Sequence, residues 1–170
     1  MGWARRFLLL AACAISSCDP QSPDPKAGPA LPADQKSFLE RRLHEHLQKQ
    51  PRFGELRTAL LRCGGIEVVP RQEPDLEKLL ARGKQMPSGS VSLRSGDPSD
   101  CHRNAAALWK KEDGRLAIAT GWALSPDGLW RQHSWLCDGP MLIETTEKRD
   151  AYFGILLTAE EAGAFWSENR

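Results

Sequence analysis

Ser99-Asp100-Cys101-His102-Arg103-Asn104-Ala105-Ala106-Ala107-Leu108-Trp109 opens a helical pattern, and two later stretches answer it: Arg131-Gln132-His133-Ser134-Trp135 and Met141-Leu142-Ile143-Glu144-Thr145-Thr146. Ser99 is a good N-cap and the alanine run is strongly helical, which places Cys101 in the first turn. Free backbone N–H groups and the positive end of the helix dipole favour a thiolate there. The competing reading is a buried structural cysteine, but Ser, Asp and His neighbours make a polar setting for one. Asn104, one turn on, is placed to support the site. His102 diverges from Cys101 by about 100° around a helix and is not taken as its base.

The segments that follow read as strands. Arg115 to Leu124 is the first, with Gly121 as a point of close backbone or substrate approach. Ser125-Pro126-Asp127-Gly128 is a turn and Leu129 to Cys137 the next strand. Asp138-Gly139 is a two-residue hairpin signal. With those two as the loop, His133 sits directly opposite Glu144 on one face, Cβ atoms about 5 Å apart. A symmetric four-residue loop keeps that pairing, and a three-residue loop puts Thr145 there instead. Taken singly, His133 reads as a hydrogen-bonded core histidine and Glu144 as an edge charge. The apolar run Met141-Leu142-Ile143 beside Glu144 makes an unpaired charge costly, so the register joins the two. Thiol, imidazole and carboxylate in this order are the sequence form of an activated cysteine nucleophile.

A Cys opening a helix, His-small-Trp on a strand and an acid followed by Thr on the next strand resemble the transglutaminase-like branch of the papain-like fold. His133-Ser134-Trp135 and Glu144-Thr145-Thr146 resemble that branch's His-Ala-Trp and Asp-Pro-Thr segments. Cys101-His102-Arg103-Asn104 is similar to a Cys-His-x-Asn signature of uncharacterised bacterial and phage proteins. The likeness spans residues 91 to 157. Glu stands where that branch has Asp, its Gly-x-Cys-Trp is absent, and no oxyanion Gln or Asn precedes Cys101 at the papain spacing. The resemblance implies Cys101 as nucleophile, His133 as base and acid, Glu144 as orienter, Trp135 in support, and an amide or peptide substrate. The expected class is α+β, papain-like, with N-terminal helices packed on a small antiparallel sheet. No cofactor or metal site is implied.

Upstream, Met1 to Arg6 is a basic head and Phe7 to Ile15 an apolar run too short to span a bilayer. Ile15-Ser16-Ser17-Cys18 resembles a bacterial lipoprotein cleavage box, giving a signal over residues 1–18 and a lipid on Cys18. The alternative is an ordinary secretory signal cut nearby. Either way the protein is expected in the cell envelope, facing the periplasm, and Asp19 resembles an inner-membrane retention signal. Residues 19–33 hold five prolines and read as a tether; 34–170 read as one domain. Lys plus Arg number 23 against 22 Asp plus Glu, so no basic field argues for nucleic acid.

Asp34 is expected to cap a helix to Gln48 with Phe38, Leu39, Leu43 and Leu47 as its stripe, His44 and His46 being solvated. Short helices are expected over Gly54–Arg62 and Asp75–Arg82, and strands over Ile66–Val69, Val91–Arg94 and Tyr152–Leu157. Thr158-Ala159-Glu160-Glu161 is a capping box that opens a last helix anchored by Phe165 and Trp166. An oxidising compartment favours a disulfide, and Cys63 with Cys137 is the pair that leaves Cys101 available. The alternative is that all three stay reduced.

Overall fold

The structure, a computed structural model, describes residues 31–170. The signal segment, Cys18 and the tether up to residue 30 lie outside the described residues. The chain runs α1 (Ala33–Lys49), α2 (Phe53–Arg62), β1 (Glu67–Val68), α3 (Leu76–Arg82), β2 (Lys84–Met86), β3 (Val91–Leu93), α4 (Cys101–Lys111), β4 (Ala117–Leu124), β5 (Leu129–Asp138), β6 (Met141–Glu144), β7 (Ala151–Leu156) and α5 (Ala159–Glu168). The class is α+β.

The sheet is larger than expected and mixed rather than antiparallel. Its seven strands run β2-β7-β4-β5-β6-β3, with β1 also on β5. The pairs β1–β5 and β3–β6 are parallel. Four residues of sequence separate Met86 in β2 from Val91 in β3, yet these are the two end strands. Five steps of chain reach at most about 18 Å, whereas the edges of six flat strands lie about 24 Å apart. The sheet must therefore curl, and Met86 and Val91 meet in one cluster with Trp135, Tyr152, Leu142, Ala119 and Ala123 on its inner face.

The outer face carries the helices. Phe53, Leu56 and Leu60 of α2 and Leu76 and Leu79 of α3 pack with Trp122, Trp130 and Phe153 of the sheet. Farther along, Ala105 of α4 and Ala162 of α5 cover Ile118, Leu136 and Ile143. The last helix starts as the sequence dictates. Thr158 Oγ1 accepts from Glu161 N–H, and Glu161 returns a bond to the Thr158 amide.

Several local expectations fail for identifiable reasons. Helix α1 begins before Asp34, which lies in its first turn without capping. Phe38 is exposed, beneath the Arg41 and Arg42 guanidinium groups. His46 is not solvated: its ring stands edge-on to Phe53 at 4.4 Å, and burial lowers its pKa. Strand β2 is missing from the sequence reading because Lys84-Gln85-Met86 has no alternating apolar pattern. Cys63 and Cys137 sit at opposite ends of β4. Cys137 pairs with Ala117, while Gly64, next to Cys63, packs on the Leu124 side chain. Ala117 and Leu124 are seven residues apart, about 23 Å along a strand, so the expected disulfide cannot close.

Candidate active site

Strand β5 is the spine of the site. One edge of its ten residues is paired along its length with β4. The other edge is shared. Strand β1 covers Leu129 and Trp130, and β6 covers Leu136 to Asp138. Between them residues 131–135 have no strand neighbour on that side, and the N-terminus of α4 occupies the opening.

Helix α4 begins at Cys101, but its N-cap is Asp100 rather than Ser99, which holds a left-handed backbone at φ 62°. Asn104 secures the approach instead. Its side chain donates to Asp97 O at 2.7 Å and accepts from Asp97 N–H at 3.0 Å. A Cβ on Gly96 would strike that amide at 2.5 Å. Asn104 thus fixes the loop that delivers Cys101.

Successive residues of α4 meet successive residues of β5. Cys101 hydrogen-bonds the His133 imidazole and accepts from the Ser134 backbone N–H. His102 Nδ1 lies 2.6 Å from Ser134 Oγ, which donates onward to Thr120 Oγ1 at 3.1 Å. Neighbours on a strand point to opposite faces, so the roughly 100° between Cys101 and His102 lets them straddle the edge of β5. The sequence reading set His102 aside as a base and took Ser134 as the small residue between His133 and Trp135; their hydrogen bonds to each other and to Thr120 escaped it, because hydroxyls alternating with larger residues in strands leave only apolar patterning to read.

His133 Nε2 is 2.9 Å and 3.0 Å from the two oxygens of Glu144, which leaves Nδ1 for the thiol. Both side chains are almost wholly buried, 3% and 0% exposed. The pair forms through a register different from the expected one. The hairpin loop is Gly139-Pro140, with Asp138 paired to Met141 and Leu136 to Ile143. Pro140 has no N–H to give a ladder, and Gly139 takes a positive φ of 56° as the first central residue of a tight hairpin turn. The slip is two residues, which preserves the face. Glu144 therefore reaches His133 diagonally instead of from directly opposite.

Trp135 stacks on the His133 ring at 6.1 Å and 19°, and Tyr152 packs on Trp135 at 5.1 Å. The Tyr152 hydroxyl accepts from Arg149 N–H at 3.1 Å and hydrogen-bonds Glu144. Burial, with the charge of Glu144, pushes the Tyr152 pKa up, so it remains a phenol and a donor. As the single tyrosine of the chain, it gave no pattern to read. Gly121 proves to be a place of backbone approach: a Cβ there would lie 2.3 Å from Phe153 O. It faces Gly154 on β7 and His133 on β5.

The electrostatics draw thiol and imidazole toward opposite charges. Burial pushes the Cys101 pKa up, but the hydrogen bond and positive charge of His133 and the Ser134 amide outweigh it, against opposition from Glu144, and the net shift is down. Burial pushes His133 down, yet its bonds to Cys101 and Glu144, and their charges, raise it to about 9. The two titrate as one coupled pair, and the thiolate–imidazolium state is favoured between them. His102 is the reverse case. Burial first, then the charges of His133 and Arg71, lower it to about 4, so it stays neutral. Among the described residues no three His, Cys, Asp or Glu side chains come together as metal ligands.

Comparison of the chain with protein families, with curated proteins and with solved structures finds no match in any of the three.

Proposed function

We propose that this protein is a cysteine hydrolase or acyl transferase that acts on amide bonds, built on a papain-like scaffold of transglutaminase-like type. The observation that carries the reading is a buried imidazole held between a helix-terminal thiol and a buried carboxylate, with the pKa values of thiol and imidazole displaced toward an ion pair.

In the first step the Cys101 thiolate attacks the carbonyl carbon and a C–S bond forms. The Cys101 N–H, which has no intrahelical acceptor at the first residue of α4, helps to hold the oxyanion. His133 Nδ1–H gives its proton to the leaving amine as the C–N bond breaks, and a thioester remains. Water or an acceptor amine then attacks that thioester while His133 takes the proton. The C–S bond breaks, and the thiolate returns. Glu144 keeps the ring in one orientation and tautomer by accepting from Nε2–H, as the acid of a triad does. Peptidase, deamidase and transamidase outcomes share these steps and differ in leaving group and acceptor. The Cys18 box and the apolar run before it support placement in the cell envelope through an N-terminal lipid.

A non-catalytic binding protein on the same scaffold would use the tryptophans of the central strands as its contact face. Trp122, Trp130 and Trp135 are each fully buried, which removes that face.

The test is alkylation of Cys101 with iodoacetamide from pH 5 to 9, followed by peptide mapping. Cys101 should react well below pH 8.5, where an ordinary thiol is mostly protonated, and His133→Ala should slow it near neutrality. Labelling no faster than a model thiol, and indifferent to His133, would overturn the proposal.

A further inference from the structure

The segment between β1 and α3 runs on from β1 along the edge of β5 that has no strand neighbour. Val69 N–H bonds Trp130 O at 2.9 Å, extending the parallel register in which Glu67 faces Leu129 and Val68 faces Trp130. Continued in that register, the next residues draw level with Gln132 and His133. Side chains pin the segment there. Gln132 Nε2 donates to Gln72 O at 3.2 Å and to Glu73 Oε2 at 3.0 Å. Trp122 Nε1 and Asp75 N–H also donate to the Glu73 carboxylate, at 2.9 Å and 3.0 Å. On the other side, Arg42 donates to Pro70 O at 3.4 Å.

Arg71 sits in the middle of this clamped stretch. Its backbone is held on both sides, yet its side chain is exposed and has no ion-pair partner among the described residues. Its charge reaches the site, since it is one of the groups acting on His102, beside Cys101. Asp100 is the acid that acts on the same ring, and no ion pair joins it to Arg71. A cation whose loop is clamped against Gln132, next in sequence to His133, and whose charge is unneutralised and felt at His102 can receive an anion there; guanidinium suits a carboxylate because two parallel N–H groups match its two oxygens.

We infer that Arg71 is a specificity-determining residue that selects amide substrates carrying a carboxylate close to the scissile bond. This rests on the thiol chemistry proposed above. Such a substrate would be drawn by charge toward the edge of β5 where α4 begins and oriented there, while a neutral amide of equal size would lack the anchor.

Two alkylating agents of nearly equal size separate the terms. Iodoacetate and iodoacetamide both react by displacement of iodide as the Cys101 S–C bond forms, but only the first carries a carboxylate. The expected result is that Arg71→Gln lowers the iodoacetate-to-iodoacetamide rate ratio at Cys101 by about threefold to tenfold. Arg71→Lys should keep most of the ratio, and about 0.5 M salt should shrink the difference between wild type and Arg71→Gln. The attraction of the His133 imidazolium for iodoacetate is common to all three proteins and cancels. Rapid labelling by both reagents with an unchanged ratio in Arg71→Gln would overturn the role of Arg71 and leave the nucleophile standing. Slow labelling by both in wild type would remove the nucleophile, and Arg71's role with it. Loss of the folded near-ultraviolet dichroism in Arg71→Gln would make Arg71 a structural residue and equally end the proposal.

Discussion

Replacing Glu144 by Gln isolates the charge that holds His133. The amide keeps the size of the carboxyl and one oxygen that can accept from Nε2–H, so the ring can stay where the 2.9 Å and 3.0 Å contacts put it. What is lost is the charge. A hydrogen bond to a charged group is worth about 1.5–3 kcal/mol, which is about one to two pKa units. The His133 pKa should fall from about 9 to about 7–8, on the same conversion. One of the donors to Glu144, the Thr145 N–H at 3.3 Å or the Tyr152 hydroxyl, also loses its acceptor, at a cost of about 1–3 kcal/mol in stability. The assay is an NMR titration of the His133 ring proton, assigned by its disappearance in His133→Ala. The variant should keep its fold and retain more alkylation than Cys101→Ala, which has no thiol at the site. An unmoved titration midpoint would refute the reasoning, because the imidazolium would then be held by some acceptor other than Glu144.

Four further outcomes can be measured, three from the structure and one from the N-terminal sequence. His102 titrates near 4 when folded against about 6.5 when unfolded; the unfolded chain binds the proton first, so stability present above pH 6.5 is lost as pH falls toward 4, by about 3 kcal/mol. His133 has the opposite sign, its contribution being complete below about 6.5 and lost as pH rises through about 9; urea denaturation across pH 4–10 measures both, and an acid limb unchanged in His102→Gln would contradict the first. Gly154→Ala would set a Cβ 2.4 Å from Thr120 O and 2.8 Å from Trp135 Cη2, and should cost about 1–3 kcal/mol with a lower urea midpoint; an unchanged midpoint would mean that β4 and β7 separate freely. Cys18→Ser should shift the protein from the membrane fraction and alter its processing, whereas full-length mature wild type free in the periplasm would remove the lipid anchor.

The parts legible in the sequence were those with short-range physics. The Thr158–Glu161 capping box needs four residues and formed as written. The alanine run placed α4, and Gly64-Gly65, both at positive φ, closed α2. Cys101, His133 and Glu144 were legible because each opens or follows a strong local signal, and the structure brings them together. Strands β1, β3 and β7 lie where the sequence puts them, but which strands they pair with was not legible. Strand β2, with three residues and no alternation, was missed, and the partners of β1 and β2 lie about sixty to seventy residues away in sequence. The capping residue of α4 was missed for a different reason. Ser99 has the right chemistry, but the loop drawn in by Asn104 puts it in a left-handed conformation and passes the cap position to Asp100.

The hairpin slip bears on the site itself. In the expected register, Glu144 would have lain directly opposite His133 and β6 would have paired with β5 through that position. A ladder extending so far would occupy the edge of residues 133–135 and leave no room for the first turn of α4. In the observed register β6 begins to pair only at Leu136, and β1 stops at Trp130. The opening between them is filled by Cys101, with the Ser134 N–H turned toward the thiol instead of toward a strand. Pro140 is the residue that enforces this, since it cannot donate within a ladder and so belongs in the turn. The carboxylate still reaches the imidazole because a slip of two residues returns every side chain to its own face. The displacement that defeats the simplest pairing is thus the one that opens β5 to Cys101.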